Sequence, residues 1–239
     1  MKYSLCIPMY NETSIITETA RTLSAYMESH FEDYEIIFSD DGSTDGSMDA
    51  VNALKLKNVR AIGYTPNAGK GKAVREAVLA ATGDLILFTD ADLAFGTDVI
   101  AGIFTQMEQD PAADMLIGSR AIHPEGYAGY TFIRKLTSKV YLGVLKLFGG
   151  IKVSDSQCGC KAFRATAGKE VFSSCMTDGF AFDLEVILRM QNRGAKILEY
   201  PIKIVNHRES KVNVIKDTFR MLRDLRRIKK QLKKESKKK

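Results

Sequence analysis

Short apolar runs recur at Ser4–Ile7, Tyr34–Ser39, Val59–Tyr64, Asp84–Thr89 and Met115–Ser119. Between them, apolar positions repeat every three or four residues in Ile15–Ser29, Gly46–Leu56, Gly71–Ala81 and Thr97–Gln109. The short runs predict strands and the longer period predicts helices. Thr13 or Ser14 is placed to cap the first helix, and Thr97 the last. Strands alternating with helices at this spacing predict an α/β fold with a parallel sheet covered on both faces. Ligands in such sheets bind beyond the carboxyl ends of the strands. Polar clusters fall there: Pro8-Met-Tyr-Asn-Glu12, Asp40-Asp-Gly-Ser43 and Asp90-Ala-Asp92.

After about residue 120 the rhythm changes. Residues 131–149 read as a helix with apolar Ile133, Leu136, Val140, Val144 and Leu147, flanked by Arg134, Lys135, Lys139 and Lys146. Residues 178–193 predict another helix, and Lys196–Val205 a strand that Pro201 assigns to a sheet edge. From about Val214 a basic amphipathic helix follows, with Ile215, Phe219, Leu222, Leu225, Ile228 and Leu232 at spacings of three or four.

Charge changes this picture. The net +6 of the chain is concentrated in Lys216–Lys239, which holds 12 Lys and Arg against 3 Asp and Glu; residues 1–215 hold 23 against 26. Something anionic is therefore expected near the tail, and a membrane or a nucleic acid would serve. No stretch supplies the roughly 20 apolar residues of a spanning helix, and no signal peptide is visible, so the expectation is a chain that does not cross a bilayer. Cys6, Cys158, Cys160 and Cys175 are too scattered for a disulfide framework; they suit a reducing, cytoplasmic setting and read as buried thiols.

The chemistry-bearing residues lie in the turns. Asp90 and Asp92, just past an apolar strand, can both reach a hard divalent ion that takes its other ligands from phosphate and water; the alternative is a solvated acidic turn. In Asp40-Asp-Gly-Ser-Thr-Asp-Gly-Ser47, Asp41 can accept from the imide of a base, while Ser43, Thr44 or Asp45 can cap the next helix. Asn67-Ala-Gly-Lys-Gly-Lys-Ala73 opens a helix as a phosphate cradle does, yet does not match the Walker spacing, which disfavours ATP hydrolysis.

These four motifs, in this order, resemble the family 2 glycosyltransferases of the GT-A fold, with a Rossmann-like, mostly parallel central sheet flanked by helices. The resemblance runs from Tyr3 to about Val212. Asp155-Ser-Gln-Cys-Gly-Cys-Lys-Ala-Phe163 and Phe180-Ala-Phe-Asp-Leu-Glu185 look like the dolichyl-phosphate glucosyltransferase branch, itself similar to polyprenyl-phosphate mannosyltransferases. The resemblance implies a domain over 1–212, with a nucleotide-sugar half at 1–120 and an acceptor half at 121–212, followed by the basic helix and Lys-rich tail at 213–239. It implies a UDP-sugar or GDP-sugar site at Pro8, Tyr10, Glu12, Asp41, Lys70, Asp90 and Gln157. It places Mg²⁺ or Mn²⁺ on Asp90 and Asp92, and an acceptor phosphate at Arg120, Arg134, Arg208 and Lys211. Asp92, Asp183, Arg120 and Arg134 would carry catalysis. The mannosyltransferase relatives have a Gln two residues past the second Asp, where this chain has Ala94.

The expected reaction is inverting transfer of a sugar, glucose by resemblance, from UDP to a polyprenyl phosphate at the cytoplasmic face of a membrane. An ionised phosphate oxygen needs little help from a base; a sugar hydroxyl acceptor would need one, with Asp183 and Glu185 as candidates. Helix 131–149 and the basic tail suit an interfacial location, their apolar faces dipping into lipid; for 131–149, a core helix or dimer contact is the alternative. The non-enzyme rival, a nucleic-acid binder, lacks a basic groove in residues 1–215. Oligomeric state is left open.

Overall fold

The computed structural model describes residues 1–130, 142–206 and 214–235, the last with side chains from Arg223 onward. Seven strands form one sheet in the order β3-β2-β1-β4-β6-β5-β7. They are β1 Tyr3–Met9, β2 Tyr34–Asp40, β3 Val59–Gly63, β4 Leu85–Thr89, β5 Ala113–Ser119, β6 Cys160–Arg164 and β7 Lys196–Pro201. All run parallel except β6, which lies antiparallel between β4 and β5. The sequence pattern predicts the parallel strands and places β7 at the edge, where it lies.

The helices are α1 Thr13–His30, α2 Ser47–Ala53, α3 Lys70–Ala80, α4 Asp98–Gln109, α5 Ala165–Ser174, α6 Phe182–Asn192 and α7 Val214–Glu235, with a π-helical turn at Leu145–Gly149. Side chains alternate across each strand and feed two cores. Leu5, Ile7, Leu85 and Leu87 face Ile16, Leu23, Ile103 and Phe104 of α1 and α4. Cys6, Ile86 and Phe88 face Val74, Phe172, Leu184 and Ile187 of α3, α5 and α6. Because both faces are covered, the central strands are buried along nearly their whole length.

Three expectations change. Neither Thr13 nor Ser14 caps α1: its N-cap is Glu12, without a side-chain cap bond, while the Thr13 N–H and hydroxyl both go to Asp45. Thr97 holds the N-cap position of α4 without a side-chain bond. The third concerns α7, whose Leu225 and Ile228 are buried in the same core as Leu145 and Ile151. Arg189 reaches across to Glu235 at 2.8 and 3.3 Å and fastens the helix end. In this part of α7 the apolar stripe is covered by protein, which corrects its assignment to lipid; Arg223, Arg226, Arg227 and Lys230 face outward. Residues 131–141, most of the predicted apolar-basic helix, lie outside the described residues.

Candidate active site

Successive strands β1, β2 and β3 run to one side of β1, and β4 returns on the other, so the order switches between β1 and β4. Chains diverge above such a point and leave a crevice at the carboxyl ends. Pro8 and Asp90 flank it.

On the β1–β2 side the turns are stitched by short polar side chains. Asp40 accepts from the Ser43 N–H at 2.9 Å and from its hydroxyl. Ser43 Oγ accepts from the Asn11 N–H at 2.8 Å, and Asn11 Oδ1 from the Thr44 N–H at 2.9 Å. The Glu12 N–H donates to Ser47 Oγ at 2.9 Å, leaving Tyr10 exposed at the rim. Asp41 is buried and accepts from Tyr64 Oη at 2.7 Å, Asn67 Nδ2 at 2.8 Å, and the Ala68 and Gly69 N–H groups at 2.9 Å. Burial, then the Asp41 bond, pushes the Tyr64 hydroxyl well above its usual range. Asp41 thus organises the Asn67–Gly71 loop with the same oxygens that would read a base. Gly42 permits this, since a Cβ there would stand 2.7 Å from the Asn67 nitrogen.

That loop delivers Lys70 to the centre. Gly69 has φ +119°, and a Cβ on it would meet the Asp178 carbonyl at 2.6 Å; one on Gly71 would meet Phe182 at 2.6 Å. Arg75 fastens the contact, donating to Asp178 at 2.6 Å and to the Cys175 carbonyl at 3.1 Å. The start of α3 is thereby pressed against the start of α6, and Lys70 forms an ion pair with Asp90. Burial pulls the Lys70 ammonium down, but Asp90, Asp183 and Asp92 more than reverse this and hold it above its ordinary value. Asp92 accepts from the Ala94 N–H at 3.1 Å.

Beneath these groups lies a buried ion pair that the sequence reading did not include. Lys161, fully buried on β6, donates to Asp183 Oδ1 and to the Cys158 carbonyl, each at 2.5 Å. Burial raises the Asp183 carboxyl; Lys161 and Lys70 oppose that rise. Glu185, two residues on, faces elsewhere: it is sealed by the Met176 and Thr177 N–H groups and by Arg189 at 2.9 Å. This removes it as a base.

Two other predicted residues sit beside the cluster. Gly159 lies so near Asp90 that a Cβ would collide with its carboxylate. Gln157, two residues earlier, has its Nε2 buried and lacking a hydrogen-bond partner. Arg120 grips Asp155 through Nε at 2.7 Å and a terminal nitrogen at 2.9 Å, and also reaches Tyr130 at 2.9 Å. Its guanidinium is therefore held in one orientation by Asp155 and Tyr130. Arg134, Arg208 and Lys211 lie outside the described residues. All four cysteines are free and buried, and burial pushes the Cys160 and Cys175 thiols up to about 12.

Among the described residues, no three His, Cys, Asp or Glu side chains converge as a metal cage. The Asp90 and Asp92 oxygens nevertheless suit a hard cation that draws its remaining ligands from a diphosphate and water. No described helix is long and apolar enough to cross a membrane.

Comparisons with known proteins bear on the family and the fold. The Glycosyl transferase family 2 profile matches residues 4–172. The chain is 31% identical to the dolichyl-phosphate beta-glucosyltransferase of Saccharomyces cerevisiae, over 93% of this chain and 72% of that one. It is 28% identical to the Drosophila melanogaster protein of the same name, over 94% and 73%. Glucosyl-3-phosphoglycerate synthase of Mycobacterium tuberculosis, solved with Mn²⁺, UDP and glucosyl-3-phosphoglycerate, shares the fold with a TM-score of 0.67. That likeness holds at 16% identity, over 92% of this chain and 76% of the other. The chain belongs to glycosyl transferase family 2, and it is a glycosyltransferase with the GT-A architecture.

Proposed function

We propose that the protein moves glucose from UDP-glucose to a polyprenyl phosphate, with inversion, at the cytoplasmic surface of a membrane. The relatives' names support the sugar and the acceptor class, and the fold neighbour solved with Mn²⁺ and UDP supports the donor. The observation that carries the acceptor assignment is the Asp183–Lys161 pair. Asp183 is buried and bonded to an ammonium, and Glu185 is sealed. Neither is a free base for a sugar hydroxyl, whereas a phosphate monoester brings its own ionised oxygen, its second pKa being about 6.

In this reading the acceptor oxygen attacks the anomeric carbon. The bond from that carbon to the diphosphate oxygen breaks, and UDP leaves with the electron pair. Asp90 and Asp92 would hold Mg²⁺ or Mn²⁺, which neutralises charge on the leaving diphosphate. Pro8, Tyr10, Glu12 and Asp41 frame the nucleotide side, and Gln157 Nε2 offers the donor sugar a buried hydrogen-bond donor. Lys70 meets the diphosphate, and Arg120, with Arg134, Arg208 and Lys211, meets the acceptor phosphate. Positioning and preorganised charge then supply most of the acceleration. The outward basic face of α7 draws the protein to anionic lipid.

The test is transfer of radiolabelled glucose from UDP-glucose to short polyprenyl phosphates with Mg²⁺ or Mn²⁺. A lipid-extractable product is expected, lost with chelator and reduced about a thousandfold or more in Asp92→Ala. Glucose released or passed to a soluble sugar, with no lipid product, would overturn the acceptor assignment.

A further inference from the structure

Asp90 is held from two sides. Lys70 closes on one carboxylate oxygen, and the backbone at Gly159 crowds the other. The positive φ at Gly69, open to glycine, and the close packing of Gly71 on Phe182 fix the helix turn that carries Lys70, so the pairing is built into the fold. The same ammonium lies within electrostatic reach of Asp92 and Asp183. With Lys161, the cluster of three carboxylates and two ammonium groups carries one formal negative charge. A divalent ion makes it net positive, which a diphosphate complements. An ammonium and a divalent ion both seek Asp90, and at contact range they repel each other. A bound diphosphate offers Lys70 a second anionic partner.

We propose that Lys70 is an exchangeable cation that makes metal loading conditional on the donor. Paired with Asp90, it opposes binding of a divalent ion alone; when metal and nucleotide diphosphate arrive together, it transfers to the diphosphate. This rests on the reading of Asp90 and Asp92 as metal ligands. Because coupling is reciprocal, UDP tightens Mn²⁺ and Mn²⁺ tightens UDP by the same factor, and Lys70 supplies part of that factor.

The experiment titrates Mn²⁺ into wild type, Lys70→Gln and Lys57→Gln, with and without UDP, reading free Mn²⁺ by electron paramagnetic resonance. Circular dichroism melts check that each variant is folded. Lys57→Gln removes the same charge from an exposed position just before β3, at the opposite end of the sheet. Lys70→Gln is expected to bind Mn²⁺ alone roughly tenfold more tightly than wild type, and its gain in Mn²⁺ affinity on adding UDP should shrink. Lys57→Gln should stay within about twofold of wild type on both counts, an exposed charge across the sheet being largely screened. If Lys70→Gln binds no more tightly, or Lys57→Gln matches it, the exchange is overturned while the metal site stands. If neither wild type nor Lys70→Gln binds Mn²⁺ even with UDP, the metal assignment fails and the exchange falls with it.

Discussion

The two ends of the sheet bury carboxylates in opposite ways. At the amino ends of the strands, Glu35 is bonded by Ser4 Oγ at 2.7 Å, by the Thr82 N–H at 2.5 Å and hydroxyl at 2.7 Å, and by Arg60 at 3.1 Å. Burial pushes this carboxyl up, but those donors overwhelm it and bring the pKa down to about 2. At the carboxyl ends, Asp183 has Lys161 as its bonded partner, with Asp90 near enough to oppose its charge, and its pKa is raised by burial. The signs of linkage differ accordingly. Glu35 contributes stability above its unfolded pKa and loses it as pH falls toward 2. Asp183 favours the folded state at low pH and works against it as the carboxyl ionises. One end spends its polar groups on satisfying each other; the other keeps like charges together, an arrangement expected where ligands rather than protein complete the pairing.

Removing Lys161 is the strongest way to break this comparison. Lys161→Met leaves the Asp183 carboxyl buried without its partner, and should cost about 3–5 kcal/mol in urea or thermal unfolding. The double variant Lys161→Met/Asp183→Leu replaces the pair with apolar groups and should recover most of that loss, yet remain deficient in glucose transfer. A double variant that turns over like wild type would make the upper pair as structural as the lower one.

The counterpart at the other end is Glu35→Gln. It should lose on the order of 2–3 kcal/mol at neutral pH with transfer activity intact at a temperature where it is folded. The difference from wild type should shrink as pH falls from about 4.5 toward 2. A stability gap that is flat across that window would show that the carboxylate charge is not what the network stabilises.

How much of this the sequence reveals depends on how far apart the cooperating residues lie. Strands β1, β2 and β4 are buried on both faces and read directly as apolar runs, so the parallel half and the turns at its carboxyl ends follow from pattern alone. Strand β6 does not: it has five residues, and its fully buried Lys161 breaks the apolar run. The partners that show why a lysine sits there, Asp183 and the Cys158 carbonyl, meet it only in the folded sheet. Asp41 is visible as an acidic turn residue, but its donors Tyr64 and Asn67 come from the turn after β3, so its loop-holding task is invisible locally. Glu185 and Asp183 look equivalent on one helix until Met176 and Thr177 are found covering the former. The apolar stripe of α7 is legible as well, but periodicity states that a face is apolar and not what covers it.

That helix supplies the smallest effect, and it separates packing from surface charge on a single element. Leu225 and Ile228 lie in the core, while Arg226 and Lys230 between and beside them are exposed. Replacing Arg226 and Lys230 together by Gln touches no buried contact, so stability should change by no more than about 0.5 kcal/mol. Each basic group near an anionic surface contributes roughly 1 kcal/mol, so co-sedimentation with phosphatidylserine-containing vesicles should fall by about tenfold or more, and added salt should erase the difference from wild type. Unchanged vesicle binding in this variant would remove α7 as the membrane contact and leave its basic face without that role. A fall in binding with stability unchanged would show that one helix divides its work as the sheet does, with satisfied packing on the protein side and uncompensated charge toward a partner.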